Sequence, residues 1–153
     1  MNKNNYLIDI SSLNKKYILK NNENIEIINN LHFSVKANKK ISILGPSGSG
    51  KTTFLNILGL LDKDYEGNYL FNGEDISSFS ENKKTKTRGS SIGFIHQFFH
   101  LIPELSVLEN VMLPILINTK DSMAFQKSKE ILLEFGLGDR INFKPAKLSG
   151  GEQ

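Results

Sequence analysis

Cysteine is absent from the 153-residue chain, which excludes disulfides and thiolate metal sites and fits a reducing compartment. Long apolar runs are also lacking. Runs such as Ile115, Ile117 and the leucine between them, after Pro114, fall far short of a bilayer span. The opening MNKNNYLIDI holds one lysine and no long apolar stretch, so it does not read as a signal peptide. Any membrane role is therefore expected to come through a partner. No internal repeat or low-complexity linker is present, and the length suits one domain with a single core. Neither sign of charge dominates. Nineteen basic and sixteen acidic residues give a formal charge of +3, an excess that suits a phosphate ligand without identifying one. His32, His96 and His100 do not have metal-ligand spacing. With 39% hydrophobic and 23% charged residues, the composition is that of an ordinary globular domain.

The pattern along the chain divides into a strand-rich part and a mostly helical part. Short strands are expected at residues 6–10, 25–28 and 32–35, separated by Asn- and Lys-rich turns. Residues 40–44 form a further apolar strand ending at Gly45. Residues 51–61 (KTTFLNILGLL) are apolar on nearly every face, which predicts a helix buried against a sheet. More strands are expected at 69–71 and 92–96, with a charged connector at 81–88 between them. In that connector Lys83, Lys84, Lys86 and Arg88 read as a solvated face. From Leu105 the pattern turns helical, with a short segment to Leu113. A second helix at 122–135 follows, with Phe125, Ile131, Leu132 and Phe135 on one side.

The chemistry is concentrated in one loop. Gly45, Pro46, Ser47, Gly48, Ser49, Gly50, Lys51 and Thr52 satisfy the phosphate-loop pattern, with a strand before and a helix after. Glycines let the backbone curl so that successive amides can face phosphate oxygens. The helix start near Lys51 adds unpaired N–H groups and a positive dipole end. Lys51 can meet the β- and γ-phosphates, and the Thr52 hydroxyl can ligate Mg²⁺. The loop alone does not distinguish one class of nucleotidase from another.

The ending LSGGEQ, residues 148–153, together with GPSGSGKTT at residues 45–53, resembles the ABC ATPase family. Gln97 at the end of an expected strand matches that family's Q-loop glutamine, and Tyr17 matches its adenine-stacking aromatic. The resemblance spans essentially the whole chain and holds these four motifs in order. GFIHQFFHLIPELSVLENVMLPILI (residues 93–117) and LNILGLLD (residues 55–62) are similar to the bacterial lipoprotein-release and macrolide-export branch. His96 departs from the aromatic residue often seen before the glutamine in that branch.

This resemblance implies an α/β fold, a RecA-like P-loop NTPase of ABC type. It has an antiparallel β part and a helical subdomain, with the C-terminal part of the domain lying outside the chain. Residues 1–97 are expected to form the strand-rich nucleotide-binding part and 98–153 the helical subdomain ending in the signature motif. ATP and Mg²⁺ are the implied ligands. Lys51, Gln97 and Ser149 carry the catalytic roles, and Thr52 and Gln97 touch the metal. Tyr17, Gly45 through Thr53, Ser149, Gly150 and Gly151 bind the nucleotide. The signature residues act on ATP held by a second ATPase subunit, most simply another copy of the chain.

Transmembrane permease subunits complete the implied assembly at the cytoplasmic face of the membrane, and no direct nucleic-acid partner is expected. Phe98 and Phe99 read either as lining a groove for such a partner or as ordinary core aromatics. The family pattern continues with an apolar strand ending in paired acids and later a switch histidine, and neither occurs in residues 1–153. This stretch is therefore expected to bind ATP-Mg without hydrolysing it. Two other readings are a ribosome- or nucleic-acid-associated ABC ATPase and a non-catalytic nucleotide-binding fragment. The compact helical stretch between the two glycine motifs is unlike the long coiled coils of chromosome and repair types.

Overall fold

The computed structural model describes residues 6–119 and 122–153. Residues 1–5, which open the stretch read above for a signal peptide, lie outside the described residues. The chain forms two compact units, one ending at Arg88 and the other running from Gly89 to Gln153.

The first unit is built on an antiparallel sheet of β1 (Tyr6–Ile18), β2 (Asn24–Lys36), β3 (Glu66–Phe71) and β4 (Glu74–Asp75), in the order β2-β1-β3-β4. The expected strands at 25–28 and 32–35 are one continuous strand, bent where Asn30 takes a left-handed φ of 46°. Opposite it, β1 bulges between Ile10 and Leu13, with Ser12 at φ 53°. Asn14 patches the broken ladder: its amide donates to Ser12 O at 2.9 Å, and its Oδ1 accepts from Asn30 N at 2.8 Å. Gly67 passes so close to the bulge that a Cβ there would lie 2.4 Å from Ser12 O.

On this sheet lies α1 (Lys51–Leu58), held by buried Phe54 and Ile57 and followed by buried Leu60. The rings of Phe33 and Phe54 meet edge to face at 5.1 Å. The Tyr69 hydroxyl donates to Leu58 O at 2.9 Å. Burial and the neighbouring Tyr65 push that hydroxyl well above its ordinary pKa, so it remains a donor. Residues 51–61 are not buried all round as expected: Leu55 and Leu61 are about half exposed. One face rests on the sheet, and no described element covers the other.

Two of the expected strands differ for a related reason. Residues 40–44 and 92–96 are in no ladder, and Leu44 and Ile95 are 89% and 102% exposed. A strand exists only through hydrogen bonds to a neighbour, and no described strand is paired with either segment. The charged connector is instead a helix, α2 (Glu81–Ser91). Its Arg88 is not simply solvated, because it donates to Leu60 O at 2.8 Å, just past α1.

The second unit packs α3 (Val107–Thr119) on α4 (Ala124–Glu134). Its core joins Val107, Leu108, Leu132 and Leu148, flanked by Val111, Met112, Leu137, Ile141 and Phe143. The buried stripe of α4 is Ala124, Ser128 and Leu132. Of the four residues expected on its inner side, Leu132 is buried, whereas Phe125, Ile131 and Phe135 are exposed. Small residues at 124 and 128 let the helices approach, and the larger rings are left at the margin. Among the described residues, no helix is long and apolar enough to cross a membrane.

Candidate functional site

The loop after Leu44 has the geometry that its residue types require. Gly48 and Gly50 take φ of 79° and 84°, in the region where glycine carries no steric penalty. Gly50 is also pressed against β2, since a Cβ on it would lie 2.8 Å from Ile27 Cγ2. The turn closes through Ser49 N donating to Pro46 O at 3.3 Å, and α1 begins with Phe54 N donating to Gly50 O at 2.8 Å. The Lys51 ammonium folds back over the loop, donating to Gly45 O at 2.8 Å, Pro46 O at 2.6 Å and Ser49 Oγ at 3.4 Å. Thr52 is exposed in the first turn of α1. A cavity of about 570 Å³ borders the loop between β2 and residues 41–44, and its walls are chiefly apolar.

Helix starts show where donors remain available. A helix leaves its first N–H groups without intrahelical partners, and those groups must find side chains, carbonyls, water or a ligand. At α3 they are consumed. Val107 N and Leu108 N donate to Phe143 O and Ile141 O. Ser106 and Glu109 form a reciprocal capping box. At α1 they are not: Gly50 is the cap residue and has no side chain to offer, and the first turn holds no acid. Among the described residues the amides of Gly48, Gly50, Lys51 and Thr52 have no hydrogen-bond partner. Together with one ammonium and one exposed hydroxyl, this donor set fits a polyphosphate with its divalent cation.

A second glycine-rich turn with free donors stands in the second unit at LSGGEQ. Leu148 anchors it in the core. Ser149 O accepts from Glu152 N and Gln153 N, opening a helical turn, and Ser149 N donates to Glu152 Oε2 at 2.8 Å. Those bonds from the Ser149 backbone N–H, then from its side chain, hold the Glu152 carboxyl below its ordinary pKa, with Arg140 adding to the effect. The Gln153 amide ties the turn back to Pro145 O at 2.9 Å. Among the described residues Gly150 and Gly151 N–H have no partner, and nothing stands within 4 Å of a Cβ built on either.

Of the expected site residues, Gly45 to Thr53 are gathered in one turn of the first unit. Tyr17 is in the same unit, on β1, and lines a separate pocket with Lys15, Asn56 and Asp62. Gln97 and Ser149 belong to the second unit. Gln97 is exposed in a bend and does not end a strand. Around it His96 stacks on Phe94 at 5.3 Å and meets His100 edge-on at 4.7 Å, and Phe98 and Phe99 are exposed, not core. Among the described residues no three His, Cys, Asp or Glu side chains gather into a metal cluster. Sequence reasoning missed Lys15, which is buried and ion-paired to Asp62 at 2.8 Å. Its signal was a lysine two residues beyond buried Leu13 in a strand, at a position where alternation calls for an apolar side chain.

The loop, the helix that follows it and the signature turn together define a P-loop ATPase domain of the ABC type. The model of the ABC transporter family matches residues 28–153, and the chain belongs to that family. Over 148 residues it is 43% identical to the lipoprotein-releasing system ATP-binding protein LolD of Syntrophus aciditrophicus, a match covering 96% of this chain and 66% of that protein. It is 38% identical to the uncharacterized ABC transporter ATP-binding protein YvrO of Bacillus subtilis, over 96% of this chain and 64% of the relative. Among solved structures it is similar to the ATP-binding cassette MJ0796 in a dimeric post-hydrolysis state bound to ADP and Pi. That match has a TM-score of 0.84 and 36% identity, covering 95% of this chain and 64% of that one. The chain thus spans less than two thirds of the length of the relatives it matches.

Proposed function

We propose that this chain is the ATP-binding part of an ABC transporter subunit that couples ATP to export, most specifically to lipoprotein release, through a membrane-embedded permease. The carrying observation is the uncapped start of α1: free amides at Gly48, Gly50, Lys51 and Thr52 under one lysine. When bound, ATP-Mg²⁺ supplies the transferable phosphoryl group and the cation that neutralises it. The chain's own groups then have separate tasks. Loop amides and Lys51 would take the phosphate charge, the Thr52 hydroxyl would hold the cation, and Tyr17 would offer a ring to the base. Gln97 would serve the metal and the attacking water.

Ser149, Gly150 and Gly151 serve the nucleotide of a second copy, which makes the working unit a dimer. LolD-named relatives favour the lipoprotein branch, and a dimeric cassette is among the structural matches. The place of action is the cytoplasmic face of the membrane, reached through the permease. Residues 1–153 hold no apolar strand ending in paired acids, so this stretch alone is expected to bind without turnover.

Calorimetry tests this reading. Lys51→Ala should weaken MgATP binding by about 10- to 100-fold, the worth of charge-assisted hydrogen bonds to phosphate. Unchanged affinity in a folded variant would overturn it.

A further inference from the structure

The buried charge of the first unit lies away from the phosphate loop. Lys15 is 3% exposed, the only charged residue among the buried described ones. Its ammonium donates to Asp62 Oδ1 at 2.8 Å and to Asp64 O at 2.6 Å. It also lies over the Tyr17 ring, 4.9 Å from the centroid. Stability alone gives little reason for an ammonium here, because a buried ion pair is often no more stable than well-packed apolar residues of the same volume. What an apolar side chain cannot do is hold the face of an aromatic ring by its quadrupole.

Tyr17 itself is 44% exposed, so the cation secures the ring without enclosing it. The ring is also tied to the loop from two directions. Across the hairpin Tyr17 pairs with Ile25, and Ile27 on the same strand is the residue that Gly50 presses against. Asp62 and Asp64 follow α1, the helix that starts in the loop. One ammonium therefore joins the ring to the far end of the phosphate-binding helix.

We infer that Lys15 is a positioning residue for nucleotide binding, which fixes the Tyr17 ring in advance so that its open face receives the base. Loss of Lys15 leaves a ring that must be ordered on binding, at the cost of one immobilised side chain. The inference rests on the reading of Tyr17 as the base platform, and the test separates the two.

Affinities for MgATP and for magnesium tripolyphosphate, which has no base, are measured for the wild type, Tyr17→Ala, Lys15→Gln, Lys15→Arg and the double variant Tyr17→Ala/Lys15→Gln. Tyr17→Ala should weaken ATP about 5- to 100-fold, the range of one lost base stack, and leave tripolyphosphate alone. Lys15→Gln should weaken ATP about 2- to 10-fold, again without effect on tripolyphosphate, and add nothing in the Tyr17→Ala background. Lys15→Arg should restore most of the affinity. Equal losses for both ligands would mean that Lys15 only supports α1, and an unchanged ATP affinity beside a weakened Tyr17→Ala would equally overturn the inference. If Tyr17→Ala binds ATP normally, the base-platform reading fails first and takes the inference with it. Should Lys15→Gln not fold, Asp62→Asn loosens the same anchor, and the ATP-selective loss is then expected from it; no loss would overturn the inference.

Discussion

The phosphate loop and the signature turn are both glycine-rich turns with free N–H groups, yet their glycines answer to different constraints. Gly48 and Gly50 have positive φ, and Gly50 is also jammed against Ile27. The demand for glycine there comes from inside the chain. Gly150 and Gly151 have neither a positive φ nor any neighbour within 4 Å of a Cβ. Nothing within the described chain requires their lack of a side chain. In the proposed function the constraint on them is external, a nucleotide held by another copy. The two turns differ in charge as well. Glu152 closes the signature turn, whereas α1 has no acid in its first turn, which leaves the loop free for the more highly charged end of the ligand.

Substitution separates the two internally. Gly50→Ala should have the largest effect. It combines a left-handed residue, costing about 1–2 kcal/mol, with a contact that cannot relax without moving β2, and it should lower the thermal midpoint as well as abolish MgATP binding. A stable Gly50→Ala protein that still binds ATP would erase the contrast. Gly151→Ala should leave monomer stability within about 0.5 kcal/mol and leave MgATP affinity of the single chain unchanged. It should remove ATP-dependent pairing of copies, read by sedimentation in the full-length subunit. Intact pairing would return the signature glycines to a purely local role.

The smallest effect is acid sensitivity. Glu109 and Glu152 are both held below their ordinary 4.5, first by the backbone N–H of Ser106 and Ser149 respectively. A carboxyl whose folded pKa is lowered stabilises above its unfolded value, and that contribution is lost as pH falls through the lowered folded value. Below about pH 4.5, the protection of the Ser106 and Ser149 amides relative to intrinsic exchange should therefore fall, while the start of α1, which has no such carboxylate, should show no matching change. Glu152→Gln should flatten the response at Ser149 alone.

What could be read in advance follows the same division. The loop was legible because phosphate binding dictates residue type position by position, and the same glycines recur in the geometry. The S-x-x-E spacing of Ser149 and Glu152, which matches the Ser106 and Glu109 box, was also available as a helix-start pattern. The segments at 40–44 and 92–96 were not safely legible, because an apolar alternation records a need for neighbours and not their presence. The helical state of α2 was hidden by its charge, which said solvent and nothing about backbone. Arg88 on Leu60 O and Lys15 on Asp62 join residues far apart in the chain, and a local pattern, even one that marks Lys15 as out of place, does not name the distant partner. On α4 the rings at Phe125 and Phe135 drew the eye, whereas the close approach was made by Ala124 and Ser128.

The most direct measurement follows backbone amide resonances of the isotopically labelled protein as MgATP is added. Amides that donate to no internal partner but grip phosphate must move first. The account predicts large shifts at Gly48, Gly50, Lys51 and Thr52, absent in Lys51→Ala, with Val107 and Leu108 at the satisfied start of α3 unmoved. Saturable shifts elsewhere with the loop silent would contradict it.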